Sequence, residues 1–191
     1  MQKSDKQNEI VQAALVLITE KGFHGAPMAM IAEKSKVAVG TIYRYFENKD
    51  VLINDLYNEL EGMIMVALRE DYSADKPFRQ RFLYLGTTLL RHFITYPLHF
   101  RYIEQYHNSP YGASLRRDCL LSNADDHDIF TELFEEGITQ QVLKDFPLAM
   151  LFSLSFGPLL ALARDHILGF IVLDDILITQ TVEACWDGIK R

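Results

Sequence analysis

Between residues 36 and 49 the chain gathers Lys36, Thr41, Tyr43, Arg44, Tyr45 and Lys49 around small and apolar residues. Hydroxyls and phenols can donate and accept hydrogen bonds, while guanidinium and ammonium groups attract phosphate. The chemistry on offer is therefore recognition of a polyanion, with Arg44 able to bridge two acceptors on one base edge. Bond-making chemistry has no comparable constellation. No Ser, His and acid arrangement and no Gly-rich phosphate loop is visible, and His92, His99 and His107 lack the i,i+4 pairing of a helical zinc site. Asp125-Asp126-His127-Asp128 has the residue types of a ligand cluster, but consecutive acids ahead of an apolar run read as a helix start, where the dipole favours negative charge. Cys119 and Cys185 lie far apart and form no CxxC pair, so both are expected as reduced thiols. No catalytic residue, metal ligand or cofactor is expected.

The net charge of −7 argues against a chain coated in nucleic acid, yet it is unevenly spread. Residues 1–50 hold seven Lys and Arg against six acids, +1, and the remainder 12 against 20, −8. The N-terminal part is where a polyanion would be tolerated. Lys3, Asp5, Lys6 and Glu9 interrupt any apolar signal segment, so a cytoplasmic location is expected.

Helical periodicity dominates, and no run of strictly alternating apolar and polar residues is bounded by turn residues, so the fold class is all-α. A first helix is expected from about Ser4 to Lys21, capped by Gly22, with Phe23 tucked beneath it. Pro27 opens a short helix to about Lys34, and another runs from about Val39 to Tyr45. Asn48 caps a long helix ending near Asp71. Further helices are expected over Pro77–Tyr96, Pro97–Asn108, Ser114–Leu121, Asp125–Gln141, Pro147–Leu168 and Asp174–Ile189, with a loop at Ser109–Gly112. The chain is cut into two domains, 1–50 with the short helices and 51–191 with the longer ones.

The segment from Ile31 to Lys49 has the form helix, tight turn, helix. Ile31, Val37 and Ile42 are spaced to meet between two crossing helices, while Gly40, Thr41, Tyr43, Arg44 and Tyr45 remain on a polar, aromatic and basic face. A helix this short fits endwise into a major groove about 12 Å wide. Ile31-Ala32, Ser35, Val37, Gly40-Thr41-Ile42-Tyr43, Tyr45-Phe46 and Lys49 together resemble the signature of the tetracycline-repressor (TetR) family. The resemblance is specific over about residues 9–56 and beyond that rests on helix number and order. It implies that Thr41, Tyr43 and Tyr45 contact sugar-phosphate or base edges, that Lys49 contacts a phosphate, and that Gly40 permits close backbone approach. Ala38, Val39 and Arg44 fall where the family varies between operators. Three departures from the pattern stand out: Ala26-Pro27 replace hydroxyl residues, Ser35-Lys36 replace Ala-Gly in the turn, and Ala38 replaces Ser. Lys36 is then a candidate for a compensating phosphate contact.

Large aromatics crowd residues 77–170, interleaved with His92, His99, Gln105, His107 and Asn108. This mixture suits a mostly apolar pocket with a few orienting polar groups, and it also suits a plain core. The resemblance implies an effector pocket there, with Phe93, Tyr102, Tyr106, Phe130, Phe134 and Phe152 as wall candidates. The last two helices are apolar on more than one face and must be covered from both sides. The resemblance implies a homodimer through this pair, with Ser155, Gly157 and Ala161 allowing close approach. A membrane span is not expected, because Pro158 interrupts the run and Arg164, Asp165 and His166 end it. The expected partners are double-stranded DNA carrying a palindromic operator, a small apolar or aromatic effector, and a second copy of the chain. The rival reading is a helical binding protein that keeps the helix-turn-helix shape without using it on DNA.

Overall fold

A computed structural model describes residues 5–121 and 129–191, the side chains of 116–121 excepted. The described residues form ten helices: α1 (Asp5–Gly25), α2 (Met28–Lys34), α3 (Val39–Ile42), α4 (Lys49–Arg69), α5 (Phe78–Thr95), α6 (Pro97–His107), α7 (Pro110–Leu121), α8 (Ile129–Thr139), α9 (Leu148–Ile167) and α10 (Asp175–Ile189). Among them there is no strand, only an isolated antiparallel bridge between Leu143 and Lys190. The acidic run at 125–128 lies outside the described residues.

By packing, the chain divides into two units. One, called the head here, is Met1–Met63 with Tyr96–Leu121; the other, the body, is Ile64–Thr95 with Ser122–Arg191. Helix α4 therefore contributes its first turns to the head and its last to the body.

In the head, α1 packs against both α2 and α6, which explains why Ile10, Val11, Ala13, Ala14, Leu15, Leu17 and Ile18 are all buried rather than a single narrow stripe. Helical geometry breaks at Gly22 (φ 75°, ψ 171°), as its position after Lys21 anticipates, before one last turn to Gly25. Helix α7 begins earlier than expected. Ser109 caps it, accepting from the Tyr111 amide at 3.2 Å and donating to the Tyr106 carbonyl at 2.6 Å, and Pro110 fills the first helical position, where its missing N–H leaves nothing unpaired. The stretch read as a loop at 109–112 is thus a helix start.

In the body, α5, α9 and α10 pack on one another and α8 packs on α9. Trp186 of α10 sits against Phe78 and Phe82 of α5, with centroids 5.9 and 5.4 Å away. Helix α9 runs unbroken through Pro158. The bond lost there is the one that would reach the Leu154 carbonyl, and both residues are solvent-exposed, so the helix tolerates it. By length and composition α9, 20 residues with mean hydropathy 1.3, is apolar enough to cross a membrane. In the body its Leu151, Ser155, Phe156, Leu159 and Ala163 are buried in the packed core.

One charged pair lies within this packing. The Arg81 guanidinium of α5, about 6% exposed, grips Glu136 of α8 with both terminal nitrogens, one at 2.7 Å to Oε2 and the other to Oε1, and lies over the Phe78 ring. The hydrogen bonds from Arg81 hold the Glu136 carboxyl below its ordinary value of 4.5, and those bonds keep Arg81 charged. The exposed pairs Arg79–Glu183 and Arg91–Asp175, each 2.8 Å, add little by comparison. Glu136→Gln keeps the shape but strands a buried cation, and should destabilise the body by about 2–3 kcal/mol at neutral pH. Because the folded carboxyl titrates below its unfolded value, the pair's contribution is present above pH 4.5 and fades as pH falls further. Denaturant unfolding of both proteins should therefore converge in acid; a gap that persists at low pH would point to packing rather than charge.

Candidate nucleic-acid interface

The helix-turn-helix is built on three buried anchors. Ile31 on α2, Ile42 on α3 and Phe46 just beyond α3 are all completely buried, while Val37 is only half-buried. Both helices start without a side-chain cap, at Pro27 and Ala38, the two positions where hydroxyl residues are missing. The turn between them is closed by backbone bonds from Ser35 to Ile31, Lys36 to Glu33 and Val37 to Ala32, at 2.9–3.1 Å. Ser35 is buried and its hydroxyl donates to the Ile31 carbonyl at 2.7 Å. Lys36 adopts φ 56°, the left-handed region that a side chain disfavours.

Regular α-helix in α3 ends at Ile42, earlier than the expected Tyr45. The chain continues its rotation through tighter i→i+3 bonds, Arg44 to Thr41 at 3.2 Å and Tyr45 to Ile42 at 2.9 Å, and Phe46 then closes on Ile42. The side chains beyond Ile42 consequently keep nearly helical directions.

Of the nine residues expected to touch DNA, Lys36, Ala38, Val39, Gly40, Tyr43 and Arg44 are exposed, with Tyr43 at 51%. Thr41 and Tyr45 are half-buried at the edge of the same face. Lys49, also half-buried, donates its ammonium to the Phe23 carbonyl at the end of α1, and burial pushes its pKa down. That bond ties the start of α4 to the end of α1, a role that its spacing in the motif does not reveal. A groove of about 460 Å³ opens beside the turn, lined by Glu9, Gln12, Ala13 and Val16 of α1 and by Lys34, Ser35 and Lys36.

The six effector-wall candidates divide between the units. Tyr102 and Tyr106 belong to the head, where their hydroxyls donate to the Ile53 carbonyl at 2.8 Å and to Asn54 at 2.7 Å. Phe93, Phe130, Phe134 and Phe152 belong to the body. There Phe130 and Phe134 of α8 meet Phe152 of α9 edge-on, at 6.4 and 4.9 Å. Sequence reading left out Phe156, which lies 4.6 Å from Phe130; its place four residues after Phe152 is the signal that puts both on one face. Among the described residues, no group of three His, Cys, Asp or Glu could hold a metal ion.

Helix α9 exposes Met150, Leu154, Gly157, Leu160 and Ala161, and α10 exposes Ile176, Leu177, Ala184 and Gly188. Among the described residues, nothing beyond the helix's own neighbouring backbone comes within 4 Å of where a Cβ on Gly157 or Gly188 would lie.

Comparison with known proteins places this geometry. Residues 10–56 match the model of bacterial regulatory proteins of the tetR family, and residues 77–190 match a tetracyclin repressor-like C-terminal domain. An uncharacterized HTH-type transcriptional regulator of Haemophilus influenzae is 26% identical over 191 residues, covering 99% of this chain and 98% of that one. The solved structure of a putative TetR-family regulator from Vibrio parahaemolyticus is 30% identical with a TM-score of 0.75, covering 98% of this chain and all of the other. The regulator FadR of Bacillus subtilis, solved in complex with stearoyl-CoA, shares the fold at 19% identity and a TM-score of 0.74, over 95% of this chain and 98% of that one. With both parts of the chain matched and a full-length relative sharing the fold, the all-helical chain is a transcriptional regulator, not an enzyme, and it belongs to the TetR family, whose members bind DNA.

Proposed function

We propose that this regulator is a homodimeric, cytoplasmic repressor that reads an inverted-repeat operator and leaves it when a small apolar molecule binds the body. The observation that carries the DNA-reading part is the exposed face of Ala38, Val39, Gly40, Tyr43 and Arg44 on a frame whose Ile42 and Phe46 are fully buried. Thr41 and Tyr45 border that face and Lys36 extends it with a cation. Lys49 has two ammonium protons beyond the one given to Phe23, enough to share a phosphate.

The exposed apolar faces of α9 and α10 support the dimer. Small residues, Gly157, Ala161, Ala184 and Gly188, sit within them and let a second copy approach closely. Two recognition segments held about 34–36 Å apart would match one DNA turn and hence a palindrome. The phenylalanine cluster of α8 and α9 supports an apolar effector, and Phe93 extends the same proposal. Ser155, one residue before Phe156, is completely buried and its hydroxyl has no partner among the described residues, so it offers an orienting polar group. Tyr102 and Tyr106 enter this proposal only through the resemblance, since their hydroxyls are already engaged. The stearoyl-CoA of the Bacillus subtilis FadR structure makes a long acyl chain a reasonable first ligand to try. A coupling of about 1–3 kcal/mol between effector and DNA is enough to change operator affinity roughly 5–150-fold.

Selection of bound duplexes from a random pool at about 0.15 M salt, where non-specific phosphate binding is suppressed, should return an inverted repeat. Arg44→Ala should then bind that repeat at least tenfold more weakly, on the order of the 1–3 kcal/mol of a good base contact. A folded dimer that enriches no motif would sink the proposal.

Lys36→Gly should move two quantities in opposite directions. Relieving the left-handed lysine stabilises the head by about 1 kcal/mol in denaturant unfolding, whereas losing one phosphate contact weakens operator binding and lowers the salt slope by about one. An unchanged slope would remove Lys36 from the interface.

Leu154→Glu places a charge in the middle of the exposed α9 face and should shift sedimentation from dimer to monomer without lowering helicity. A variant that sediments as the wild type does would put the dimer contact elsewhere.

A further inference from the structure

Three tyrosine hydroxyls converge on the first two turns of α4. Tyr111 donates to Asp50 at 2.6 Å, Tyr102 to the Ile53 carbonyl at 2.8 Å and Tyr106 to Asn54 at 2.7 Å. Residues 50, 53 and 54 follow the i, i+3, i+4 spacing of a single helix face. The donors come from α6 and the start of α7, and they are themselves set relative to one another. Tyr106 stacks on Tyr57 with centroids 4.0 Å apart and on Tyr111 at 5.9 Å. Gly112 lets the α6–α7 corner close, since a Cβ there would lie 2.5 Å from the Tyr106 carbonyl and the His107 Cα. The same corner also holds α1: Gln105 donates to the Thr19 carbonyl at 3.1 Å, and Phe23 meets the rings of Tyr102 and Tyr111 edge-on at 5.9 and 5.3 Å. Burial raises the pKa of Tyr102 and of Tyr106 and pushes that of Tyr111 up to about 12, so all three remain protonated donors.

We infer that α6 and the start of α7 are a working part of the DNA-reading head, and that Tyr102, Tyr106 and Tyr111 are positioning residues for operator recognition. Apolar packing alone resists separation of two helices but tolerates sliding and rotation. Three directional bonds on one face fix the register of α4. The recognition segment is joined to α4 by only Phe46, Glu47 and the capping Asn48, whose Oδ1 accepts from the Val51 amide at 2.9 Å. Whatever sets α4 therefore sets Tyr43 and Arg44, and base reading needs them placed to within about 0.5 Å. Backbone contacts are less demanding, so loose register harms specific binding and spares non-specific binding. The inference rests on the DNA-reading proposal above.

Tyrosine-to-phenylalanine changes keep the rings. They strand little, because the Ile53 carbonyl lies inside a continuous helix and Asp50 and Asn54 reach solvent. In the full-length protein, the triple variant Tyr102→Phe/Tyr106→Phe/Tyr111→Phe is expected to bind the selected operator about tenfold or more weakly, with an unchanged salt slope, while its low-salt binding to a scrambled duplex changes by less than about twofold. Wild-type affinity for the operator in that variant, or a parallel loss on both duplexes, would overturn the inference. Where the triple variant fails to fold, Tyr111→Phe alone decides it: a loss of about threefold on the operator only is expected, and no loss overturns it. Failure of the wild type to bind any selected operator would instead sink the DNA-reading proposal itself.

Discussion

A helix of four residues cannot hold itself together, because fixing its first turn costs more than its few hydrogen bonds return. Helix α3 exists because Ile42 and Phe46, four residues apart, are both driven completely out of water. Each such burial is worth about 1.5–3 kcal/mol. That outweighs what the segment gives up locally: about 1 kcal/mol for each missing cap at Pro27 and Ala38, and a similar amount for the left-handed Lys36. The outward face follows from the same two anchors. With Ile42 and Phe46 turned inward, helical geometry turns Gly40 and Arg44 outward and Tyr43 to the flank, while Val39, on the anchors' own side, is exposed in the first turn. Exposure of that face is thus a by-product of core packing, and its residues can change without touching what holds it.

How much of this the residues announce in advance depends on the range of the interaction. Caps and periodicity are local, so α1, α4, α9 and α10 can be bounded within a few residues, and Asn48 and Gly22 do what their types suggest. The start of α7 was equally local, since Ser109-Pro110 is a cap followed by a favoured first residue, but Gly112 two positions later disguised it as a loop. Aromatic residues are different. Tyr102 and Phe134 have the same periodic signature of a buried helix face, and only tertiary structure shows that Tyr102 reaches α4 with its hydroxyl while Phe134 joins a ring cluster in the body. Lys49 is a similar case: its place in the motif indicates a phosphate, and the Phe23 carbonyl that receives its ammonium lies 26 positions earlier in the chain.

The exposed surfaces of α9 and α10 raise the same question of an absent partner. Met150, Leu154, Ile176 and Leu177 are 39–67% exposed, far more apolar surface than a helix pair buried in its own chain would show. Lipid could cover such a face, as could a second copy of the chain. Charged Arg91, Asp175, Asp187 and Lys190 lie on or beside α10, and a hydrocarbon environment would penalise each of them. Glycine and alanine within the stripe also favour close contact between helices over lipid packing.

The head is assembled from two stretches of chain, 1–63 and 96–121, with part of the body encoded between them. Translation delivers these in order. When α4 emerges from the ribosome, the tyrosines that hold its first turns have not yet been synthesised, and at about 5–20 residues per second roughly 3–12 s pass before residue 121 follows. During that interval the recognition segment can form only the contacts supplied by α1, α2 and α4. The nascent chain is thereby kept from completing its head until residues 64–95 of the body have been made.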